Sequence, residues 1–600
     1  MLLDDRNTNL LWSSILVETC RRAGVKAAAI CPGSRSGPLA IAFARCHAAG
    51  ELEAISVLDE RSAAFLALGI AKQTQQPVAV VCSSGTAGAN FFPAVIEAHH
   101  SRVPLLVLSA DRPPELRDCH AGQAIDQGKL FGNYANWYAE LALPEAHLNL
   151  LCYLRQTVLQ AVERSHLPVP GPVHLNIPFR DPLAPVPQES SADVLRLASA
   201  LVQDEAFFAH IAPPAIPRRQ VTVPWAHWRA CERGAIVAGV AAPTEPDAYC
   251  LAVARLAAHL GWPVLADALS PLRNWADCNP NLVSSYDLAL RNAELAEELA
   301  PDCVLQLGPL PTSKVLRAWL ARAQPERWTL DPAVESFDPL HGPVQHLPVA
   351  IADLVADLPG IATAPAEYLQ TWLEAESQLQ EVLASQLAKS RLTTQLLEAE
   401  IPWLLGQILP VKTPLMVANS MPVRDLESFW PPGNGHHLIY CNRGANGIDG
   451  TLSTALGIAW GNRAVLLTGD LALLHDTNGF LNARRLQGHL TIVLVNNHGG
   501  GIFGMLPIAE YDPPFEEFFA TPQEVDFAKL CAAYDITYER AIDGQHLKTL
   551  LHTLPATGVR LLEIVCDRQA NVRWRQQQLP RFADVLAVAT ELGADEEIHD

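Results

Sequence analysis

Two short phrases, Gly469–Asp470 and the run Asn496-Asn497-His498-Gly499-Gly500-Gly501, each close an apolar stretch: Ala464 to Leu467 before the first, Leu490 to Val495 before the second. Apolar stretches of that length ending in polar turns read as buried strands. Asp470 offers a carboxylate and Asn497 an amide oxygen, 27 positions apart. That interval leaves room for one crossover helix between adjacent parallel strands, so both oxygens can meet above one sheet edge. Mg²⁺ takes hard oxygen ligands, commonly only one or two of them carboxylates, and completes its octahedron with phosphate oxygens, carbonyls and water. One Asp, one Asn and the backbone carbonyl of Gly499 suit a metal that carries a diphosphate, with the glycines at 499 to 501 allowing close backbone approach. The plainer alternative is that Gly-Asp ends a strand and Asn-Asn opens a turn.

The first third of the chain holds chemistry of a different kind. In VLDERSAAFLALGIAKQ, Glu60 follows an apolar stretch and opens a helical one. A carboxylate there is favourable to the helix dipole. SSGTAGAN at 83 to 90 is a glycine-bearing turn opening a helix, and SADRPPEL at 109 to 116 is another strand end. His99 and His100 end a helical stretch before a strand, where imidazole suits the helix C-terminus, and read as structural.

The elements that must position these residues follow one grammar. KAAAI, EAISV, PVAVV, VPLLVLSA and PVHLNIPF in the first third, and PLMVA, HLIYC, AVLLTG, LTIVLVNN and RLLEIVCD in the last, are apolar runs alternating with helical stretches. Such runs predict mainly parallel sheets covered on both faces, an α/β fold with ligands beyond the carboxyl ends of the strands. GAIVAGV, WPVLADAL, CVLQLGPL and RWTLDP form a further set between them, bounded by the proline-rich segments FRDPLAPVPQESSAD with APPAIPRRQ, and LPGIATAPAE. Three α/β domains are expected, at 1–190, 191–365 and 366–600, with a long helix over Tyr368–Leu392 leading into the third.

A formal charge of −21 argues against a nucleic-acid surface or an anionic membrane, and no apolar run approaches the roughly 18 residues of a membrane span. The N-terminus, MLLDDRNTNLLWSSI, lacks the basic region and apolar core of a signal peptide, so a cytoplasmic protein is expected. The 13 cysteines include no C-x-x-C, and most are expected to be buried thiols. Neither GAIVAGVAAP nor PGSRSGP makes G-x-G-x-x-G, which argues against a dinucleotide oxidoreductase.

Glu60 after a strand, SSGTAGAN, and GD followed by NN at this spacing together resemble the thiamine-diphosphate-dependent decarboxylases and synthases. Leu471 stands where that superfamily's motif usually has a third-position Gly. The phrases CPGSRSGPL, LDER, SADRPPEL, GQAIDQ, GPLPTSK, CNRGANGIDG and NNHGGGIF are similar to those of the branch that serves menaquinone and phylloquinone biosynthesis. The resemblance implies a pyrimidine-binding domain (1–190), a central domain (191–365) and a diphosphate-binding domain (366–600). It implies a homodimer or homotetramer with the cofactor at the subunit interface.

What it implies for the site is specific. Thiamine diphosphate is the cofactor, with Mg²⁺ or Mn²⁺ held by Asp470, Asn497 and the Gly499 carbonyl. Glu60, as a buried carboxylate, meets the aminopyrimidine and promotes loss of the C2 proton. Ser84, Gly85, Thr86, Ser420, Gly469, Ile502 and Phe503 contact the cofactor. The substrates are 2-oxoglutarate, which is decarboxylated, and isochorismate, which accepts the succinyl unit by 1,4-addition. Ser34, Arg35, Arg112, Lys314 and Arg424 lean toward isochorismate. Gln123, Ser420, Arg424 and Arg443 lean toward the succinyl intermediate, and Gly122 stands where the family pattern often has Asn. Arginine suits both dicarboxylates because its planar fork pairs with a carboxylate in bidentate fashion. Taken singly, each arginine also suits a surface or intersubunit ion pair. Other 2-oxo acid decarboxylases, acetolactate-type synthases and a non-catalytic cofactor-binding protein are the competing readings.

Overall fold

The computed structural model describes residues 3–189, 192–203, 205–215, 219–333, 335, 338–356, 358, 367–389, 396–511 and 514–594. Parts of the expected linkers, the end of the helix expected over Tyr368–Leu392 and the last six residues lie outside them. The chain forms three six-stranded sheets, and every strand pairing in them is parallel.

The first sheet contains β1 (Ala27–Ile30), β2 (Glu53–Ser56), β3 (Val78–Cys82), β4 (Leu105–Asp111), β5 (Trp137–Glu140) and β6 (Pro172–Pro178), ordered β2-β1-β3-β4-β6-β5. It belongs to a compact unit of Met1–Pro217 together with Asn442–Trp460 and His475–Gln487. The order reverses between β1 and β3, so the turns after these two strands flank the crevice where such sheets bind ligands. β1, β3, β4 and β6 are buried along their whole length, as parallel strands covered by helices on both faces must be.

The helix Glu60–Thr74 starts where Asp59 caps the Ser62 N–H, and ends at Gln75 in the left-handed region. Asp59 satisfies a donor that the helix leaves unpaired, and Glu60 occupies the first turn. The helix packs backbone to backbone on Thr451–Ile458: a Cβ at Gly69 would lie 2.1 Å from the Thr454 carbonyl, and one at Gly457 would lie 2.2 Å from that of Leu66. Any side chain at either position would push the two helices apart, displacing the turn that carries Glu60.

Beneath the site turns runs a buried polar network. Ser109 Oγ meets His174 Nε2 at 2.7 Å and donates to Asn176 Oδ1 at 2.9 Å, while Gln127 Nε2 donates to the same Asn176 oxygen at 2.9 Å. Gln127 Oε1 in turn accepts from the Gly85 N–H at 2.9 Å. Since the Ser109 hydroxyl donates to Asn176, His174 must donate through Nε2, which leaves the buried Nδ1 without a partner. Burial pushes the His174 imidazole down to about 3. Folded, it stays neutral; unfolded, it binds a proton below about 6.5, so the unfolded state carries more protons and stability falls as pH drops through that window. Between pH 7 and pH 5 the loss from this residue is expected to be ~2 kcal/mol. Urea unfolding at both pH values should show His174→Gln losing correspondingly less than wild type; equal losses would remove His174 as the source.

The second unit contains the other two sheets and comprises Arg218–Cys441, Gly461–Leu474 and Gly488–Asp600. β7 (Gly234–Ala238), β8 (Val264–Ala266), β9 (Leu282–Val283), β10 (Cys303–Leu307), β11 (Glu326–Leu330) and β12 (Val344–Leu347) run in the order β12-β11-β10-β7-β8-β9. β13 (Leu415–Val417), β14 (Ile439–Cys441), β15 (Arg463–Gly469), β16 (His489–Asn496), β17 (Thr537–Arg540) and β18 (Gly558–Val565) run in the order β14-β13-β15-β16-β18-β17. One core fills the space between these sheets, with Trp372 of the helix Glu367–Lys389 fully buried in it beside Trp319. Nine of the 13 cysteines are buried and all are free thiols, as expected. Among the described residues no helix is long and apolar enough to cross a membrane.

Candidate active site

β15 and β16 are neighbours in register, Gly469 opposite Val495, so the two turns in question leave the same sheet edge side by side. The order of the third sheet reverses between β13 and β15, which puts the Ser420 turn beside that of Asp470. The crossover departs from expectation: instead of one helix, the chain makes a short helix Asp470–Leu474 and then a 3₁₀ stretch Thr477–Arg485. Its segment TNGFLNARR sets Gly and two Asn among few apolar residues, a composition that gives a continuous α-helix little support.

Asp470 is buried and opens its short helix, and its Oδ2 accepts from the Gly499 N–H at 2.7 Å. Burial pushes the carboxyl up to about 6, although the Gly499 and Leu471 N–H groups pull the other way. Asn497 donates through Nδ2 to Glu398 at 2.7 Å, while its buried Oδ1 has no hydrogen-bond partner. Gly499 has φ +133°, and a Cβ there would lie 2.4 Å from the Ala520 carbonyl, so only glycine fits this turn. The Gly499 carbonyl accepts from Gly501 N at 3.0 Å and keeps its second lone pair. A buried carboxylate, an orphaned amide oxygen and a turn carbonyl fit a hard divalent cation that also takes phosphate oxygens. Among the described residues no three His, Cys, Asp or Glu side chains gather as a metal cluster, which leaves amide and carbonyl oxygens as the complement.

Ser420, at φ +73°, begins the helix Met421–Phe429, and its carbonyl accepts from Arg424 Nη1 at 2.5 Å. Two buried arginines anchor this helix: Arg273 on Glu427 at 3.1 Å and Arg575 on Asp425 at 2.6 Å. Burial pushes Glu427 up to about 8 and Asp425 up to about 6. A small cleft opens against this helix, lined by Met421, Pro422, Leu467, Gly469, Val495 and Asn497 among others. Ile502 and Phe503 sit half-buried on the 3₁₀ turn Gly501–Met505, with Phe503 5.8 Å from the Phe519 ring. Lys314 is exposed at the start of the helix Lys314–Ala323, at the carboxyl end of the middle sheet. Asp287 links that helix start to the Arg424 helix, since it accepts from Ser313 at 2.5 Å and from Ser428 at 3.2 Å.

In the first unit the turns after β1, β3 and β4 come together. A Cβ on Gly33 would lie 2.3 Å from that of Ser83, so the turn bearing Ser34 and Arg35 rests on the turn bearing Ser84, Gly85 and Thr86. Gln123 Nε2 donates to the Ser84 carbonyl at 3.0 Å, and Ser84 Oγ is buried without a partner. Arg35 is buried and donates to the Phe179 carbonyl at 2.8 Å, yet its Nε has no partner, and neither has the buried Nε of Arg112. The Arg35 guanidinium is lowered by burial and then by the positive charge of Arg112. Two like charges with unused donors suit an anion, alongside the Asp181 and Asp111 carboxylates that also act on Arg35. Arg443 follows β14, and the next two N–H groups, of Gly444 and Ala445, donate to the Glu97 carboxylate at 3.1 and 2.8 Å.

Glu60 stands in the first turn of its helix and near the ends of β1 and β3, where burial raises the Cys82 thiol and the Glu60 charge adds to the shift. It is half-buried, not buried as expected, because the turn before it is open, with Leu58 64% exposed. Sequence reasoning missed Gln127, Glu398 and Arg575. Gln127 lies within the quoted GQAIDQ, whereas Glu398 and Arg575 belong to no motif: only the fold brings Glu398 to Asn497 and Arg575 to Glu398.

Parallel sheets with polar turns at their reversal points, an oxygen set that fits a divalent cation and a strand-end glutamate are what a thiamine-diphosphate-dependent enzyme requires. Residues 12–130 match the thiamine pyrophosphate enzyme N-terminal TPP binding domain, 199–417 the middle domain and 425–564 the C-terminal TPP binding domain. The relative from Trichormus variabilis named 2-succinyl-5-enolpyruvyl-6-hydroxy-3-cyclohexene-1-carboxylate synthase is 54% identical over 96% of this chain and 98% of its own. Relatives of the same name from Acaryochloris marina and Gloeothece citriformis are each 53% identical, over 96% and 97% of this chain and 98% and 100% of theirs. The chain belongs to the 2-succinyl-5-enolpyruvyl-6-hydroxy-3-cyclohexene-1-carboxylate synthase family of thiamine pyrophosphate enzymes.

Proposed function

We propose that this enzyme decarboxylates 2-oxoglutarate on thiamine diphosphate and adds the succinyl unit to isochorismate by 1,4-addition, as a step of menaquinone or phylloquinone biosynthesis. The observation that carries the reading of two dicarboxylate substrates is the pairing of Arg35 and Arg112, each with a buried and unused Nε. Such donors are costly to leave unmade and are satisfied by a substrate carboxylate.

Bound thiamine diphosphate supplies a nucleophilic carbon and an electron sink for decarboxylation. The chain supplies the rest. Asp470, Asn497 and the Gly499 carbonyl hold Mg²⁺ or Mn²⁺ at the diphosphate. Glu60 holds a proton at the aminopyrimidine, a role that gains strength if a subunit partner covers the open turn beside it. Ser84, Gly85, Thr86, Ser420, Gly469, Ile502 and Phe503 shape the cofactor's surroundings. Ser34, Arg35, Arg112, Lys314 and Arg424 orient isochorismate, and Gln123, Ser420, Arg424 and Arg443 orient the succinyl unit. The reading includes domains at 1–190, 191–365 and 366–600 and a cytoplasmic homodimer or homotetramer with the cofactor at a subunit interface.

The direct test follows isochorismate consumption with 2-oxoglutarate, thiamine diphosphate and Mg²⁺, omitting one component at a time. Loss of isochorismate that needs all three, with matching CO₂ and an adduct whose mass is that of the two substrates together less CO₂, is expected. CO₂ without an adduct would remove isochorismate as the acceptor. In the same assay Arg35→Ala is expected to raise the KM for isochorismate about 10- to 100-fold, the worth of one hydrogen bond to a charged group. An unchanged KM would take Arg35 out of the site.

A further inference from the structure

The two ends of the Asn497 amide are treated differently. Nδ2 donates to Glu398 Oε1 at 2.7 Å, and the buried Oδ1 has no partner. Glu398 Oε2 accepts from Arg575 Nη2 at 2.7 Å, and Arg575 also donates to Asp425 at 3.0 and 2.6 Å. Glu398, Arg575 and Asp425 are all buried. The geometry points to Glu398 as the positioning residue that sets the orientation of the Asn497 amide and so presents Oδ1 to the divalent cation. This rests on the proposed role of Asn497 as a metal ligand.

The reason lies in donor and acceptor counting. A guanidinium only donates, so Arg575 requires an acceptor on one side of Glu398. A carboxylate has a second acceptor on its other side, and only Nδ2 of Asn497 can meet it. Reversing the amide would set two oxygens against each other at hydrogen-bond distance. The orientation therefore follows from the chemistry of Glu398 itself. Glu398 is fixed in turn: its N–H donates to Asn571 Oδ1 at 2.9 Å, and both Asn571 and Arg575 lie on the helix Arg568–Ala594. Residues outside every motif thus decide which atom of the motif asparagine faces the metal, the kind of outer support that ligands depend on.

Glu398→Gln is the informative substitution because it keeps size and loses one acceptor. Arg575 claims the remaining oxygen, the introduced NH₂ faces position 497, and Asn497 turns Oδ1 toward it and away from the cation. Adding Asn497→Asp to the same chain restores the ligand: one carboxylate oxygen accepts from the introduced amide and the other faces the metal.

The experiment is Mn²⁺ titration of the full chain, freed of metal and supplied with thiamine diphosphate, read by electron paramagnetic resonance. Glu398→Gln is expected to weaken Mn²⁺ binding about 10- to 100-fold. The double variant is expected to return within about threefold of wild type, the non-additivity that contacting residues show. Asp425→Asn disturbs Arg575 without touching Asn497 and is expected to leave Mn²⁺ affinity within about twofold. Equal weakening by Asp425→Asn and Glu398→Gln, or no recovery in the double variant, would overturn the inference. If Glu398→Gln does not fold, Asn497→Asp alone is compared with the double variant, which must bind Mn²⁺ more tightly. Wild-type protein that takes up no Mn²⁺ with the cofactor present would instead remove the metal site, and the inference with it.

Discussion

Glu60→Gln is expected to bind thiamine diphosphate as wild type does while turnover falls about 10²- to 10⁴-fold, the range associated with a lost general acid–base group. The substitution keeps the side chain's length and its place in the first turn of the helix Glu60–Thr74, whose cap is Asp59. It removes only the ability to take up and return a proton. Exchange of the cofactor's C2 proton, followed by NMR after acid quench, should slow in parallel with turnover. A role limited to the helix dipole predicts a different result, since the worth of a charge there is about 0.3–1 kcal/mol of stability. Normal exchange with a slightly lower melting temperature would assign Glu60 to that structural role.

Asp470→Ala is expected to weaken metal-supported binding of thiamine diphosphate on the order of 100-fold, about 2.7 kcal/mol. Little loss of stability should accompany it. Burial already pushes this carboxyl up to about 6, so the folded chain gains little from its charge, and what is lost is one hydrogen bond from the Gly499 N–H. Cofactor titrations over a range of Mg²⁺ concentrations, read by tryptophan fluorescence, separate the two effects. Wild type should show affinity rising with Mg²⁺, and the variant should show almost no dependence. A variant with unchanged Mg²⁺ dependence would move the metal away from this turn.

The strands of the sheet interiors were legible, as were the edge strands β2 and β14, whereas the other four edges were not. β1, β3, β4, β7, β10, β15 and β16 all announce themselves as apolar runs, because a parallel strand covered on both faces has no solvent-facing side chains to break the run. β5 (WYAE), β12 (VQHL) and β17 (TYER) lie at sheet edges and carry polar and half-exposed residues. β9, also an edge, is only two residues long. None leaves a periodic signal, and each is recruited by pairing with a neighbour already in place.

The site divides in the same way. Asp470, Asn497, Gly499, Glu60, Ser84 and Gly85 could be singled out as candidates because turns at strand ends are short, and local spacing displays the groups they offer. The family followed from those phrases, and the relatives at 53–54% identity agree with it. What only tertiary structure decided is the company these residues keep. Arg35 and Arg112 are 77 positions apart, and their unused donors acquire meaning only once β1 and β4 bring the two charges within influence of one another. Glu398 reaches Asn497 across 99 positions, and Arg575 holds Glu398 from the C-terminal helix. Local sequence sets which groups a turn offers; the burial, the like charges and the amide orientation around those groups are sums over contacts between distant segments.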